Sequence, residues 1–486
     1  MNCKTLLRFC LLSLALPWGV FATSGTAQIV VNEEADANEV LTRGPVHEAF
    51  AGAATFDPQP GITVPRSPPE PIEEIPPTVR PEGDNIEWIP GYWAWGDDDQ
   101  NFLWVSGTWR NLPPGRQWIS GYWAKAETGV QWTSGYWADA ESTEIEYLPE
   151  PPESIETGPN VAAPSRDHIW LPGCWIWDQN RYAWQPGFWA TAQPNWIWNP
   201  SHYMWASRGY VFVSGYWDHT LDNRGVLFAP VRFHQSTLAQ QNYRYTPNSV
   251  LNVSGLINHL FLRPNYGHYY YGDYYGNNYE KVGYLPSFSY GVNRHGYDPI
   301  FSHLRWENRS NKEWENKVQG DYRRRRDNES DRPPRTFSAQ QELIKRGVDP
   351  NDRGNIFTQP LVQAAQNKDG KVRYREVNKE DHQRFSQTGL SLQNQRLTRQ
   401  KMESTNSVRL KPGVTSEPSR IKMNSSPIRG KFEDRNKQSI TPKKLELPKT
   451  DPKVNPTKRR SGPPSDKGKA NKNKGSDDQE PPSESP

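Results

Sequence analysis

Four kinds of side chain in this sequence have the chemistry to act on another molecule: a run of aspartates, three histidines, one cysteine and many tryptophans. Asp97, Asp98 and Asp99 offer oxygen ligands for a divalent cation. The run lacks the length and the closing glutamate of a calcium loop, and the competing reading is an acidic turn facing solvent. His202, His219 and His234 follow no zinc-ligand spacing and read as surface or edge histidines. Cys174 is the only cysteine outside the N-terminal segment that holds Cys3 and Cys10. It has no intramolecular disulfide partner, no local pattern sets a histidine beside it, and it reads as a small buried apolar residue. No Gly-x-Ser-x-Gly elbow and no glycine-rich phosphate loop occurs. The sequence therefore points to no catalytic residue, no cofactor and no metal, and the expectation is a protein that is not an enzyme. The tryptophans have two uses. Their flat faces stack on the CH groups of sugar rings, or they fill a core in a chain poor in aliphatic residues. Both uses stay open.

Whatever the tryptophans do, the elements that carry them repeat. Seven units of the form W-x-x-G-x-W stand out. They are Trp88/Gly91/Trp93, Trp104/Gly107/Trp109, Trp118/Gly121/Trp123 and Trp132/Gly135/Trp137, then Trp170/Gly173/Trp175 and Trp184/Gly187/Trp189, and last Phe212/Gly215/Trp217, where Phe replaces the first Trp. Trp104, Trp118 and Trp132 keep a 14-residue spacing, and so do Trp170, Trp184, Trp198, Phe212 and Val226. The step from Trp88 to Trp104 is 16, with the extra residues in the turn-rich run Gly96 to Gln100. A strand of about eight residues and a turn of about four to six fill such a period. Short links between consecutive strands predict an antiparallel meander. Strands are expected near 86–95, 101–109, 117–124, 130–138, 168–177, 181–189, 196–205, 210–218 and 226–233. In a flat strand, residues i and i+5 point to opposite faces. An extra residue at the Pro-Gly or Ser-Gly step, a β-bulge, would return both tryptophans of a unit to one face and bring Trp177 and Trp205 with them. The rival is a type II turn at Pro-Gly. The bulged strand is the reading favoured here.

These units resemble the W-x-x-G-x-W, or Y-x-W-G-x-W, repeat family of bacterial exported and envelope proteins. The resemblance covers roughly residues 86–138 and 168–233. Trp198-Asn-Pro-Ser201-His-Tyr203 departs from it at the glycine and the second tryptophan. The resemblance implies an exported, β-rich protein and brings no catalytic residues with it.

Composition divides the chain around the repeats. Eighteen of the 21 Trp lie between Trp88 and Trp217, so the core-forming material is concentrated there and is aromatic. Residues 1–27 read as a signal peptide: Lys4 and Arg8 precede a short apolar run, with cleavage after Ala22 or Ala27. Residues 28–84 are a proline- and acid-rich spacer expected to be disordered. The first repeat block is 85–140, a Pro/Glu linker follows at 141–165, and the second block is 166–236. Residues 237–300 are rich in Tyr and Gly. They read either as loops laid over the sheet or as a self-associating surface. Residues 301–404 are basic and partly helical, and 405–486 are expected to be disordered. Residues 301–486 carry 41 basic and 25 acidic side chains, a net of +16, against −13 for the rest of the chain. That tail either solubilises or contacts a polyanion by charge. The expectation is an exported protein, in the periplasm, on the outer surface or secreted, without a transmembrane helix and without nucleic acid as a partner. Its role would be structural or interactive, with a carbohydrate-binding module as the alternative. Envelope polysaccharide, an acidic surface polymer and self-association are the candidate partners.

Overall fold

The computed structural model describes residues 38–291, 296–349, 354–404 and 417–431 of the 486-residue chain. The signal-peptide reading and most of the tail reading fall outside these residues. The protein is mainly β and antiparallel, with short helices and one long helix, Lys379–Ser404.

All nine expected strands are present, and each is cut in two: seven at their x-Gly step, the seventh in order at Pro200-Ser201 and the ninth at Phe228-Ala229-Pro230. Ile86–Ile89 and Tyr92–Gly96 make the first, Asn101–Val105 and Thr108–Asn111 the second, and the pattern runs on to Gly225–Leu227 and Val231–Phe233. Pairing is local. Successive strands zip up two by two into four two-storey hairpins, spanning 86–111, 116–139, 168–191 and 196–219. Among the described residues no ladder runs from one hairpin to the next. The ninth strand instead pairs across the chain with the first hairpin, Thr108 opposite Leu227 and Trp104 opposite Val231. The end of the second block thus completes a sheet of the first.

The register rules out the bulge. Ile89 faces Thr108 below the break, and Tyr92 faces Val105 above it, so two residues intervene on each strand and none is extra. The chain also keeps the same partner on both sides of Pro-Gly, which removes the turn reading. With an unbroken register, Trp88 lies opposite Trp109 and Trp93 opposite Trp104. Period-two alternation then sends the two tryptophans of one unit to different places. Trp88 and Trp109 pack with Phe228 and Phe385, whereas Trp93 and Trp104 join the large cluster with Phe233, Phe261 and Tyr270. The cross-strand pairs meet at similar geometry: ring centroids are 5.0 Å apart for Trp88/Trp109, 5.1 Å for Trp93/Trp104 and 5.2 Å for Trp175/Trp184, all edge-to-face. Such pairs contribute about 0.5–1.5 kcal/mol each beyond burial.

Trp123 and Trp189 correct the bulge reading in the other units. That reading set Trp123 on one face with Trp118, and Trp189 on one face with Trp184. Instead Trp123 lies opposite Trp132, with centroids 5.2 Å apart, and belongs to the large cluster. Trp118 packs apart from it, with Trp137, Leu392 and Ile428. Trp189 lies opposite Trp170 with centroids 5.4 Å apart, while Trp184 is taken by Trp175. The physical reason is the same in each hairpin: an odd separation of five along an unbulged strand reverses the face.

Segments expected to lie loose are built into the core. Residues 38–84 form short strands against the repeats, Thr63–Val64 on Gly129–Thr133 for example. The Tyr/Gly-rich segment is interior: Tyr266, Tyr269, Tyr270, Tyr271, Tyr274, Tyr275, Tyr279 and Tyr284 are all buried. Ser419–Lys422, inside the stretch expected to be disordered, pairs with Glu144–Tyr147, and Ile428 is buried beside Trp118 and Trp137. Buried ion pairs fasten distant elements. Asp218 of the fourth hairpin accepts from Arg110 of the first at 2.6 Å and lies 3.3 Å from Arg224. Glu403 takes Arg399 at 2.7 Å and accepts from the Tyr147 hydroxyl at 2.8 Å and from the Tyr122 hydroxyl. No helix among the described residues is long and apolar enough to cross a membrane.

Candidate functional site

The x-Gly break leaves backbone groups without a ladder partner, and buried backbone N–H groups must find one. In the first hairpin the two glycine N–H groups converge on one carboxylate. Gly91 N–H donates to Glu74 Oε2 at 2.6 Å, and Gly107 N–H donates to Oε1 at 3.0 Å and Oε2 at 3.1 Å. The Trp104 indole N–H adds a third donor, 2.9 Å from Oε1. The second hairpin repeats the arrangement on Glu48, which accepts from Gly121 N–H and Gly135 N–H at 3.1 Å each. There the free carbonyls of the same steps are also taken: Arg399 donates to Ser120 O at 2.9 Å and Ser134 O at 3.1 Å. In the third hairpin Glu156 accepts from Gly173 N–H at 2.5 Å and from the Trp170 indole at 3.1 Å. The fourth hairpin has Ser201 where the others have their first glycine. Its hydroxyl fills the clamp from within, accepting from Gly215 N–H at 2.8 Å.

The repeat glycines are what let the carboxylate in. A Cβ on Gly107 would stand 2.5 Å from Trp88 Cζ2, 2.6 Å from Glu74 Oε2 and 2.7 Å from Ile89 O. Gly187 faces the same crowding from Trp170 and Leu171 O, and Gly215 from Trp198. None of the seven unit glycines has a positive φ. The requirement is close approach, not left-handed backbone. The first tryptophan of each unit packs its ring edge over the glycine of the facing unit, so W-x-x-G is read across the hairpin.

The clamped glutamates arrive on straps. Glu74 and Glu156 each lie 17 residues before the first glycine of their hairpin. The second tryptophan of the leading unit holds each strap again, three or four residues earlier: Trp93 Nε1 donates to Glu70 O and Trp175 Nε1 to Glu153 O, both at 3.1 Å. In the third hairpin the trailing unit takes the same strap further on, Trp189 Nε1 donating to Val161 O at 2.9 Å. Trp123 is used differently. It is buried, and its indole N–H donates to Trp93 O of the first hairpin at 2.9 Å, which ties two hairpins together. The straps are the spacer and linker of the sequence reading. Pro71, Pro76 and Pro77, or Pro149, Pro151 and Pro152, keep them extended, as proline does by fixing φ and removing a donor.

Burial pushes the Glu74 and Glu48 carboxyls up to about 7, against the pull of the glycine N–H donors. A carboxyl whose pKa is raised by folding contributes stability fully present below its unfolded pKa, near 4.5, and lost as pH rises through 7. For Glu74 this amounts to on the order of 3 kcal/mol across that window. The melting temperature of Glu74→Gln, measured from pH 4.5 to 7.5, is expected to fall less steeply than that of the parent. Parallel curves would show that Glu74 does not titrate there.

The other residues singled out for chemistry are otherwise engaged. Asp97, Asp98 and Asp99 do not face solvent as free carboxylates. Asp97 pairs with Arg263 at 2.6 Å, Asp98 with Arg43, and Asp99 with Arg232, which pins the first hairpin's turn to the neighbouring segments. His202 is held at Nδ1 by Pro200 O at 2.9 Å. His219 stacks on Trp196 with centroids 4.7 Å apart, and burial lowers its pKa to about 4. His234 caps a short helix by accepting from Ser236 N–H. Cys174 is free, and burial pushes its thiol up to about 12, so it is protonated at neutral pH. The repeat-defining tryptophans divide by block. Those of the first are buried, from 0% exposed at Trp88 to 8% at Trp123. Those of the second, Trp170, Trp175, Trp184 and Trp189, are half-buried, and Trp217 alone is buried. The fourth hairpin's rings keep the pairing despite their departures, Tyr203 and Phe212 standing where the others carry two tryptophans.

A fold of glycine-broken hairpins with paired tryptophans defines a class of repeat, and the comparison with known families gives it a name. The family model for the WXXGXW repeat (2 copies) matches residues 88–110, 166–190 and 194–217. Each match covers the two paired units of one hairpin, the first, third and fourth. The chain thus contains WXXGXW repeats at these residues. No curated protein and no solved structure matches it.

Proposed function

We propose that this protein is a non-enzymatic, exported structural and interaction protein of the bacterial envelope, whose hairpins serve as clamps for carboxylates on extended, proline-rich segments. The observation that carries this reading is the convergence of hairpin donors on Glu74, Glu48 and Glu156. Three hairpins take the same chemical group from three different parts of the chain. An architecture in which rigid hairpins grip straps suits holding segments together, and the donors are backbone and indole N–H groups with no reactive side chain among them. Export is supported by the basic, then apolar N-terminal sequence and by the repeat itself. The buried tryptophans of the first block offer no face to a sugar, which favours the structural reading over a carbohydrate module built on those rings.

Two measurements test it. Fractionation of cells making the tagged full-length chain, followed by cross-linking, should find a shortened protein outside the cytoplasm joined to envelope neighbours. An uncleaved cytoplasmic protein would end the export reading. For the clamp, Glu156→Ala should free the strap at 149–161, which is largely exposed. Limited proteolysis should cut there at least tenfold faster than in the parent, while the first hairpin stays resistant. Unchanged cleavage would mean that Glu156 does not hold the strap.

A further inference from the structure

A cavity of about 80 Å³ opens between the second and fourth hairpins. The second clamp forms part of its wall, since Glu48 and Gly135 both line it. Trp205 and Tyr216 supply aromatic surface, and Asn199, His202 and Glu48 supply polar groups. Asn199 is 7% exposed, and its Nδ2 has no hydrogen-bond partner. The Trp132 indole N–H, on the same wall, has none either. Buried donors without acceptors are costly and call for an occupant that supplies them. The acceptor side is present as well. His202 is neutral, because burial lowers its pKa, and Nδ1–H donates to Pro200 O, which leaves Nε2 as an acceptor. Glu48 adds carboxyl oxygens.

We infer that this cavity is a binding site for one pyranose ring of a saccharide, with its hydroxyls accepting from Asn199 and donating toward Glu48 and His202, and its CH face against the aromatic wall. Hydroxyls suit the lining because each both donates and accepts, and the cavity presents both kinds of partner beside aromatic surface. A purely anionic ligand would meet the Glu48 carboxyl, and a purely apolar one would leave Asn199 unpaired. The inference shares Glu48 with the clamp reading, but the tests are distinct: the strap experiments do not involve Asn199, and saccharide binding does not involve Glu74 or Glu156.

The test is a titration of the full-length chain with methyl pyranosides, neutral, N-acetylated and uronic, and with matching oligosaccharides, followed by tryptophan fluorescence and saturation-transfer NMR. At least one pyranoside or oligosaccharide is expected to saturate at millimolar concentration or below. Binding by oligosaccharides alone would identify a residue within a glycan, and binding by the free sugars a monosaccharide site. Asn199→Leu should weaken that binding at least tenfold while the melting temperature stays level or rises, since it removes an unpartnered buried amide. Asn199→Asp, which swaps donor for acceptor, should weaken it too. No saturable binding up to about 50 mM, a weakness beyond any useful affinity, would overturn the inference. So would binding that Asn199→Leu leaves intact, or a melting temperature several degrees lower in that variant, which would give the amide a structural partner instead.

Discussion

Glu74→Ala should be among the most destabilising single changes in the described part of the protein. It removes the acceptor for three N–H donors at once: Gly91, Gly107 and the Trp104 indole. All three are buried within the first hairpin. Each buried donor left without a partner costs about 1–3 kcal/mol, so the loss should be on the order of 4 kcal/mol or more. That is a large part of the 5–15 kcal/mol or so that separates most folded domains from their unfolded states. Glu74→Gln keeps one carbonyl oxygen for the donors but turns an NH2 toward N–H groups, and should fall between parent and alanine. Glu156→Ala should cost far less, since its strap is exposed and the third hairpin is half-buried. Chemical denaturation of the three variants gives the order directly. A Glu74→Ala protein within about 1 kcal/mol of the parent would show that the donors find other partners.

How much of this was visible in the sequence can be followed residue by residue. The strands were, because a period of 14 with aromatic residues at fixed places leaves little freedom, and each expected strand stands within a residue or two of its place. The break was visible as Gly in seven of the nine strands, but its cause was not. A bulge and a close approach both select glycine, and only the register, with Ile89 opposite Thr108 and Tyr92 opposite Val105, separates them. The fate of Trp123 and Trp189 followed from that choice, since without the extra residue neither can share a face with the first tryptophan of its own unit. The clamped glutamates were hidden by their surroundings. Proline- and acid-rich stretches read as spacers because they cannot bury enough apolar surface alone, yet here they are bound by hairpins that need a carboxylate. One signal was available: Glu74 and Glu156 stand at the same distance before their first glycines, one repeat period before Trp88 and Trp170. Glu48 gave none, being 73 residues from Gly121. The tyrosine segment and the strand at Ser419–Lys422 were lost for the same reason. Their burial depends on contacts across hundreds of residues, as in Ile145 with Ile421. Low complexity describes a composition and says nothing of what a finished surface will accept.

Gly107 provides the sharpest test of the close-approach argument, because two physical accounts of it predict different orders of substitution. If the glycine were needed for left-handed backbone, Asn would be the best replacement and Val the worst. Gly107 has no positive φ, so backbone preference does not distinguish the replacements much. What matters is the first carbon added. A Cβ there meets the Trp88 ring edge, the Glu74 carboxylate and the Ile89 carbonyl, all within 2.7 Å, and one of the three is backbone. Room can be made only by moving Trp88 away from Trp109 or Glu74 out of the clamp. Ala should therefore already cost about 3 kcal/mol or more, the upper part of the range for overpacking a core. Asn and Val should cost at least as much as Ala, since they add atoms beyond the one that does not fit. Gly267 is the contrast within the same molecule. It ends a short helix with φ +71°, and the nearest atom to an added Cβ is the Ser134 hydroxyl, the end of a side chain that rotates. There Asn should be tolerated better than Ala. Thermal melts of Ala, Asn and Val at both positions decide the matter: an Asn variant at Gly107 that melts above the Ala variant would return the repeat glycine to a conformational role.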